Sequence, residues 1–186
     1  DTHDGKMILR FDDTNPEKAK QEYVDEVKKA FKWLNVIADS ESYSSDKIPL
    51  LYEYAEKIIN LERAYVCFCS GDEIKENRSK KKNCFCRSKS KEETLVSWKK
   101  MLNKEFKKGE AILRFKGDME SLNTVMRDPT LFRIIDSTHY RQGDKYSAWP
   151  SYDFTVSILD SIEGVTHTLR TKEYELRREL FFELLD

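Results

Sequence analysis

Four cysteines stand as two matched triplets, Cys67-Phe68-Cys69 and Cys84-Phe85-Cys86, with 14 residues between them. Four thiolates close a tetrahedral structural zinc site, and two tight pairs on facing strands or turns supply its geometry. Every ligand then comes from protein and no position stays open for substrate, so the expected role is structural. The commoner knuckle has two residues between ligands, and four free thiols or two disulfides would use the same residues differently. Disulfides belong to oxidising compartments, and no cationic start followed by a short apolar stretch marks this chain for secretion. Phe68 and Phe85 are expected to alternate to the other face and pack.

Three further stretches carry groups that bind ligands. Arg10-Phe11-Asp12-Asp13-Thr14-Asn15-Pro16 places two adjacent carboxylates at the end of a short strand. In an open α/β sheet, ligands bind at the carboxyl ends of strands. The acids there could hold an ammonium group or simply favour the N-terminus of a following helix. Trp149-Pro150-Ser151-Tyr152-Asp153-Phe154 offers a Tyr hydroxyl at a pocket rim, or a core Tyr with a satisfied hydroxyl. In Gly164 to Tyr174, Arg170 offers a rigid bidentate fork for a carboxylate, Thr171 an N-cap, and His167 a structural hydrogen bonder. A basic run between Lys75 and Lys91, including Lys80, Lys81 and Lys82, carries one acid, Glu76. It is either a solvated loop or a phosphate-facing one.

The elements that must position these groups follow from periodicity. Lys6 to Phe11 reads as a strand after the turn residue Gly5. Thr14, Asn15 and Pro16 read as a helix start, followed by an amphipathic stripe of Ala19, Tyr23, Val27, Ala30, Phe31 and Leu34. A second helix follows Asp46, with Ile48, Leu51, Tyr52, Ala55, Ile58 and Ile59 on one face, and a third carries Leu95, Trp98, Leu102 and Phe106. Ala111, Leu113 and Phe115 alternate as in a half-buried strand. Val165 to Leu169 suggests another strand, and a last helix runs from about Lys172. Strand and helix, a long irregular middle, then strand and helix indicate an α/β sheet interrupted by an inserted domain.

With 186 residues the chain is one domain, or one carrying an insertion, and 39% hydrophobic residues suffice for a core. Net charge of −1 excludes a generally basic nucleic-acid binder. No apolar run reaches the roughly 20 residues of a membrane span. The start at Asp1 without Met, and the end within a helical pattern, suggest an excised piece.

The three ligand-binding stretches together resemble the glutamyl- and glutaminyl-tRNA synthetases of class I, and the resemblance covers nearly the whole chain. Tyr43-Ser44-Ser45-Asp46, Ala64-Tyr65-Val66 and Met126-Arg127-Asp128-Pro129 add to it. The forms at Arg10 to Pro16 and Pro150 to Phe154 are similar to the archaeal and eukaryotic-cytosolic branch, and the paired Cys-x-Cys elements to archaeal members.

The resemblance implies an α/β class: a Rossmann-type class I synthetase nucleotide-binding fold split by an inserted α+β domain that binds the tRNA acceptor end. Residues 1–45 and 151–186 would form the nucleotide fold, incomplete in two parts, and 46–150 the insertion with the zinc site at Cys67, Cys69, Cys84 and Cys86. It further implies Asp12 on the substrate α-ammonium, Tyr152 on the substrate, Arg170 at its side chain, Thr171 at ATP, and Lys80, Lys81 and Lys82 at tRNA. Rate in this class comes from positioning and charge stabilisation, so no residue is assigned as catalytic. Glutaminyl enzymes of the family carry a small neutral residue where Arg170 stands. An Arg there favours glutamate, since a dry cation pairs with its carboxylate and is left unpaired by an amide. The expected enzyme is therefore a glutamate–tRNA ligase of the cytoplasm using glutamate, ATP with Mg2+, and tRNA(Glu), without a membrane. A glutaminyl-tRNA synthetase and a non-catalytic zinc and RNA-binding module are the alternatives.

The sequence departs from the family at two points. Asn60-Leu61-Glu62-Arg63 lacks the usual turn Gly before Ala64, so Asn60 is expected in the left-handed position. Both ATP signatures, His-Ile-Gly-His and Lys-Met-Ser-Lys-Ser, are absent. They are expected upstream and downstream, so the piece alone is expected to be inactive.

Overall fold

A computed structural model describes residues 5–186, so the first four residues of the expected nucleotide-fold portion lie outside the described residues. Strand β1, Ile8–Phe11, and strand β2, Ser40–Tyr43, pair in parallel with Leu9 opposite Glu41. Helix α1, Gln21–Trp33, connects them. The helix begins later than Asn15-Pro16 suggests. Asn15 accepts from the amides of Lys18 and Ala19 and caps a single turn, and the chain then extends through Lys20 before α1 starts. Of the apolar positions along α1 only Val24 is buried, while Tyr23, Val27 and Leu34 remain exposed. Two strands offer too little surface to cover that stripe.

A tight turn, Ser44–Lys47, leads into α2, Ile48–Asn60, whose Ile48, Leu51, Ala55, Ile58 and Ile59 are buried as their spacing requires. The turn after α2 places Glu62, not Asn60, in the left-handed region at φ 59°. The Glu62 amide reaches the Ile59 carbonyl and the Arg63 amide the Ile58 carbonyl, the double bond pattern of a Schellman cap. Asn60 is held inside the last helical turn, so the strained position falls two residues later. A residue with a Cβ costs about 1 kcal/mol there relative to Gly. Glu62→Gly is accordingly expected to raise stability by less than about 1 kcal/mol, measured by chemical denaturation, because the gain at the turn is partly offset by the added unfolded-state entropy.

The middle of the chain is ordered, not irregular. β3, Ala64–Cys67, β4, Ile112–Phe115, β5, Thr130–Ile134, and β6, Ala148–Pro150, form an antiparallel sheet in sequence order. Between β3 and β4 lie α3, Gly71–Ser79, and α4, Lys91–Leu102. Each of these begins with a capping box, Ser70 with Glu73 and Ser90 with Glu93. One sheet face packs Ala64, Val66, Leu113 and Phe115 against Leu51, Ile59, Trp98 and Met101. The other carries Tyr65 and Cys67 of β3 opposite Arg114 and Ile112 of β4. Alternation along β4 therefore has the expected period, yet it is not half-solvated, because the cysteine cluster covers its second face. The β4–β5 register shifts between Leu113 and Arg114, a bulge of the kind that re-aims a side chain.

Helix α5, Tyr152–Ile162, buries seven consecutive residues from Phe154 to Asp160 and runs through the core. The segment expected as a strand, Val165 to Leu169, is irregular and largely exposed, with no strand partner among the described residues. The chain ends in a tight helical turn, Lys172–Arg177, and the short helix α6, Arg178–Glu183. Thr171 occupies the N-cap position of that turn, but its side chain makes no capping hydrogen bond. No helix is long and apolar enough to cross a membrane among the described residues.

Candidate functional site

At the ends of β1 and β2 the adjacent acids divide their work. Asp13 is buried and fully engaged: it accepts from the Ser45 amide and hydroxyl and from the Tyr140 hydroxyl, each at 2.8 Å. Its carbonyl also meets His139 Nε2 at 2.7 Å. Asp13 thus bolts the strand end to the loop before β6. Asp12 is the exposed member, with one oxygen taking Arg10 Nε at 2.9 Å and the Ser44 hydroxyl at 2.7 Å. Its remaining lone pairs can accept a cationic ligand.

Arg10 extends this arrangement across to α5. Its guanidinium donates to Asp160 at 2.5 Å and to Glu163 at 2.8 Å as well as to Asp12. Burial opposes its charge, but the Asp12 carboxylate and the hydrogen bonds to Asp160 and Glu163 outweigh that and raise its pKa. Asp160 in turn accepts Arg170 Nη2 at 2.7 Å. That partner lies ten residues back, on α5. Arg170 also lies over the Phe181 ring at 5.3 Å. A charge chain Asp12–Arg10–Asp160–Arg170 therefore joins two of the expected site residues.

Tyr152 opens α5 behind the N-cap Ser151 and packs against Tyr174 at 5.3 Å. Partial burial raises its pKa, with the Arg170 charge opposing and the Asp12 charge reinforcing that rise. Both charges thus act on the Tyr152 hydroxyl, which brings the three residues into one neighbourhood. The cavity between Tyr152 and Arg170 measures about 10 Å³, space for one water. Beside it, a wider groove of about 460 Å³ is lined by Thr168, Arg170, Thr171 and Lys172.

The four cysteine sulfurs lie within 4.8 Å of one another, from the end of β3 and from the turn at Phe85–Ser88. Zinc–sulfur bonds of about 2.3 Å in a tetrahedron separate sulfurs by about 3.8 Å, and Cys67 and Cys84 are 3.9 Å apart. The donor set and spacing fit that ion. The Cys84 thiol is pulled down to about 4 by the hydrogen bond from Cys67, with help from Tyr65, the Arg87 amide and Arg114. Cys67 is pushed up by the same shared bond and by burial, and Cys69 to about 11 chiefly by burial. Phe68 packs inward against Phe106, but Phe85 is 85% exposed, because its turn points the ring outward. Lys80, Lys81 and Lys82 are not in a loose loop. They form the C-terminal cap of α3, with Lys81 left-handed at φ 56° and the Lys82 amide on the Asn77 carbonyl. All three are exposed, and Lys80 pairs with Glu76.

Several working residues carried no sequence signal of their own. Asp160 had one in principle: an acid directly after the mostly apolar stretch Phe154 to Leu159, within a buried helix, demands a buried partner. Tyr65 and Asp128 fell within motifs of the resemblance but with no role attached, and Arg114 had no signal, since an Arg between Leu113 and Phe115 looks like a solvent-facing strand residue.

Fold and site together define a mixed α/β domain with charged groups gathered at parallel strand ends and a separate cysteine cluster. The chain belongs to the family described as tRNA synthetases class I (E and Q), catalytic domain, whose model it matches over residues 1–186. It is 50% identical over 182 residues to a glutamate–tRNA ligase of Nitrosopumilus maritimus, covering 98% of this chain and 32% of that protein. It is 44% identical over 182 residues to a probable glutamine–tRNA ligase of Dictyostelium discoideum, covering 98% and 23%. A crystal structure of a glutamate tRNA ligase from Elizabethkingia meningosepticum superposes with a TM-score of 0.68 at 18% identity, over 97% of this chain and 40% of that one. The chain thus spans about a third of the length of the curated glutamate–tRNA ligase it matches at 50%.

Proposed function

We propose that this chain is the central part of a glutamate–tRNA ligase. Its β1–α1–β2 unit and residues 151–186 belong to a Rossmann-type nucleotide fold, and the antiparallel sheet within 46–150 is the insertion that meets the tRNA acceptor end. Asp12 receives the α-ammonium of glutamate, Tyr152 orients the amino acid, Arg170 takes its side-chain carboxylate, and Thr171 borders ATP. The whole enzyme would join the glutamate carboxylate to the α-phosphate of ATP with pyrophosphate leaving, then pass the glutamyl group to the 3′-terminal ribose hydroxyl of tRNA(Glu) with AMP leaving and the hydroxyl proton lost to AMP or solvent; Mg2+ would supply charge neutralisation for the phosphates. Within this chain the residues position and neutralise charge and move no proton.

The observation that carries this reading is the guanidinium of Arg170, held by Asp160 beside Tyr152. Relatives of both specificities match at similar identity, so the residue at this position decides between them. The test is glutamate-dependent ATP–pyrophosphate exchange by the full-length protein with tRNA present. Exchange with glutamate and little with glutamine supports the reading, and no exchange with either removes it in favour of a non-catalytic RNA-binding module.

Zinc at Cys67, Cys69, Cys84 and Cys86 would fix the α3 turn and so present Lys80, Lys81 and Lys82 to RNA phosphates. Lysines at a helix C-terminus also favour the helix dipole, so their exposure alone does not assign them. Reversing all three charges is expected to weaken tRNA binding and flatten the dependence of log affinity on log salt by about one unit per lost contact. Fluorescence titration at several salt concentrations measures this, and an unchanged slope returns the lysines to a purely helical role.

A further inference from the structure

Beside the cysteines lies a buried cation that the four ligands do not account for. Arg114 is 1% exposed, and its guanidinium is always charged. Nε donates to the Asp128 carbonyl at 2.9 Å, and Nη2 is buried without a hydrogen-bond partner. Nη1 lies 3.8 Å from Cys67 Sγ and 3.9 Å from Cys84 Sγ.

Arg114 forms no ion pair with a carboxylate among the described residues. The adjacent acid, Asp128, spends its carboxylate elsewhere, on Arg87 and on the Tyr65 hydroxyl. Burying an unpaired ion is costly, and removing its partner is strongly destabilising. Asp128 still acts on Arg114 through its charge, but the groups in reach of Nη1 are the sulfurs of Cys67 and Cys84. Neutral thiols are weak acceptors, whereas a zinc ion with four thiolates carries a net charge of two negatives.

We propose that Arg114 is the outer positioning cation of the metal centre, held by the Asp128 carbonyl so that its guanidinium balances the charge of the zinc tetrathiolate. The inference rests on the zinc reading above and deepens it. The register shift beside Arg114 is taken up by Leu131 of β5, so β4 keeps its alternation and Arg114 stays opposite Tyr65 on the face that carries Cys67. Stacking on the Tyr65 ring at 5.6 Å braces it, and the Tyr65 hydroxyl also lies 3.5 Å from Cys84 Sγ. The Phe68 amide donates to Cys86 Sγ at 3.5 Å, so the outer shell draws on both strands.

The test measures zinc affinity of the whole chain by competition with a chromophoric chelator, together with thermal midpoints of zinc-free and zinc-loaded protein. Arg114→Met removes charge and hydrogen bond. Arg114→Gln removes the charge while keeping an N–H for the Asp128 carbonyl, and carries the test if the Met variant does not fold. Either variant is expected to bind zinc about 10- to 100-fold more weakly and to show a smaller zinc-dependent rise in midpoint. The zinc-free midpoint should hold or increase, since an unpaired buried cation has been removed. Unchanged zinc affinity with both forms equally destabilised would overturn the proposal and leave Arg114 as a packing residue. A wild-type chain that binds no zinc overturns the zinc reading itself, and this inference with it.

Discussion

Stripping zinc from the loaded chain with a chelator is expected to lower its thermal midpoint and to loosen residues 70–90 selectively. Cys67 is anchored in β3 by the main sheet, but α3 buries no residue of its own and is held by its capping box and by the chain returning to Cys84 and Cys86. Without the metal, the segment keeps Arg87 on Asp128 and on the Gly117 carbonyl, Arg78 on the Thr124 carbonyl, and Arg127 on the Arg78 carbonyl, all polar contacts near the surface of the cluster. Metal present at about 100 to 1,000 times its dissociation constant stabilises by about 2.7 to 4.1 kcal/mol. Loss on that scale is expected from the chelator and from Cys84→Ser alike. Hydrogen exchange should show residues 70–90 opening while β4 and β5, buried by the large core, keep their protection. Elemental analysis of chelator-free protein should find close to one zinc per chain. A metal-free, equally stable protein with four titratable thiols would end the structural-zinc account.

What could be read from the sequence was whatever depends on local spacing. The paired Cys-x-Cys triplets identified the residues that the fold brings together, because a one-residue gap keeps both sulfurs of a pair on one side. The face of α2 and the buried Trp98 of α4 followed from helical period. Long-range partners could not be read. Arg114 was hidden by correct alternation, since nothing local says that a second cluster covers the other face of β4. Arg170 was expected to face a substrate carboxylate, and its partner within the chain, Asp160, is reached only through the tertiary packing of α5. Residue type and spacing did not separate Asp12 from Asp13; the family resemblance singled out Asp12, and the approach of Ser45, His139 and Tyr140 to Asp13 gives the physical difference between them. The left-handed residue after α2 fell on Glu62 because the cap counts from the last helical carbonyl, not from the residue most tolerant of it.

Replacing Arg170 by Cys carries the largest expected effect on function. The substitution should leave the fold standing: Asp160 keeps its bond to Arg10, so no buried carboxylate is orphaned. Glutamate would lose the cation facing its side-chain carboxylate, a loss of about 2–5 kcal/mol for one partner of a hydrogen-bonded charge pair. Glutamine carries no charge to compensate and should lose much less. Arg170→Lys should rescue poorly, since a point charge on a flexible stem does not reproduce the planar fork that Asp160 and the Phe181 ring hold. If Arg170 served only to pin residues 165–171 against α5, both amino acids would suffer alike and stability would fall with activity. The deciding measurement is the ratio of kcat/KM for glutamate over glutamine in the full-length enzyme, wild type against Arg170→Cys. A ratio falling by about two decades or more, or inverting, is the expected result; a ratio that does not change would contradict the assignment of this chain to a glutamate-specific ligase.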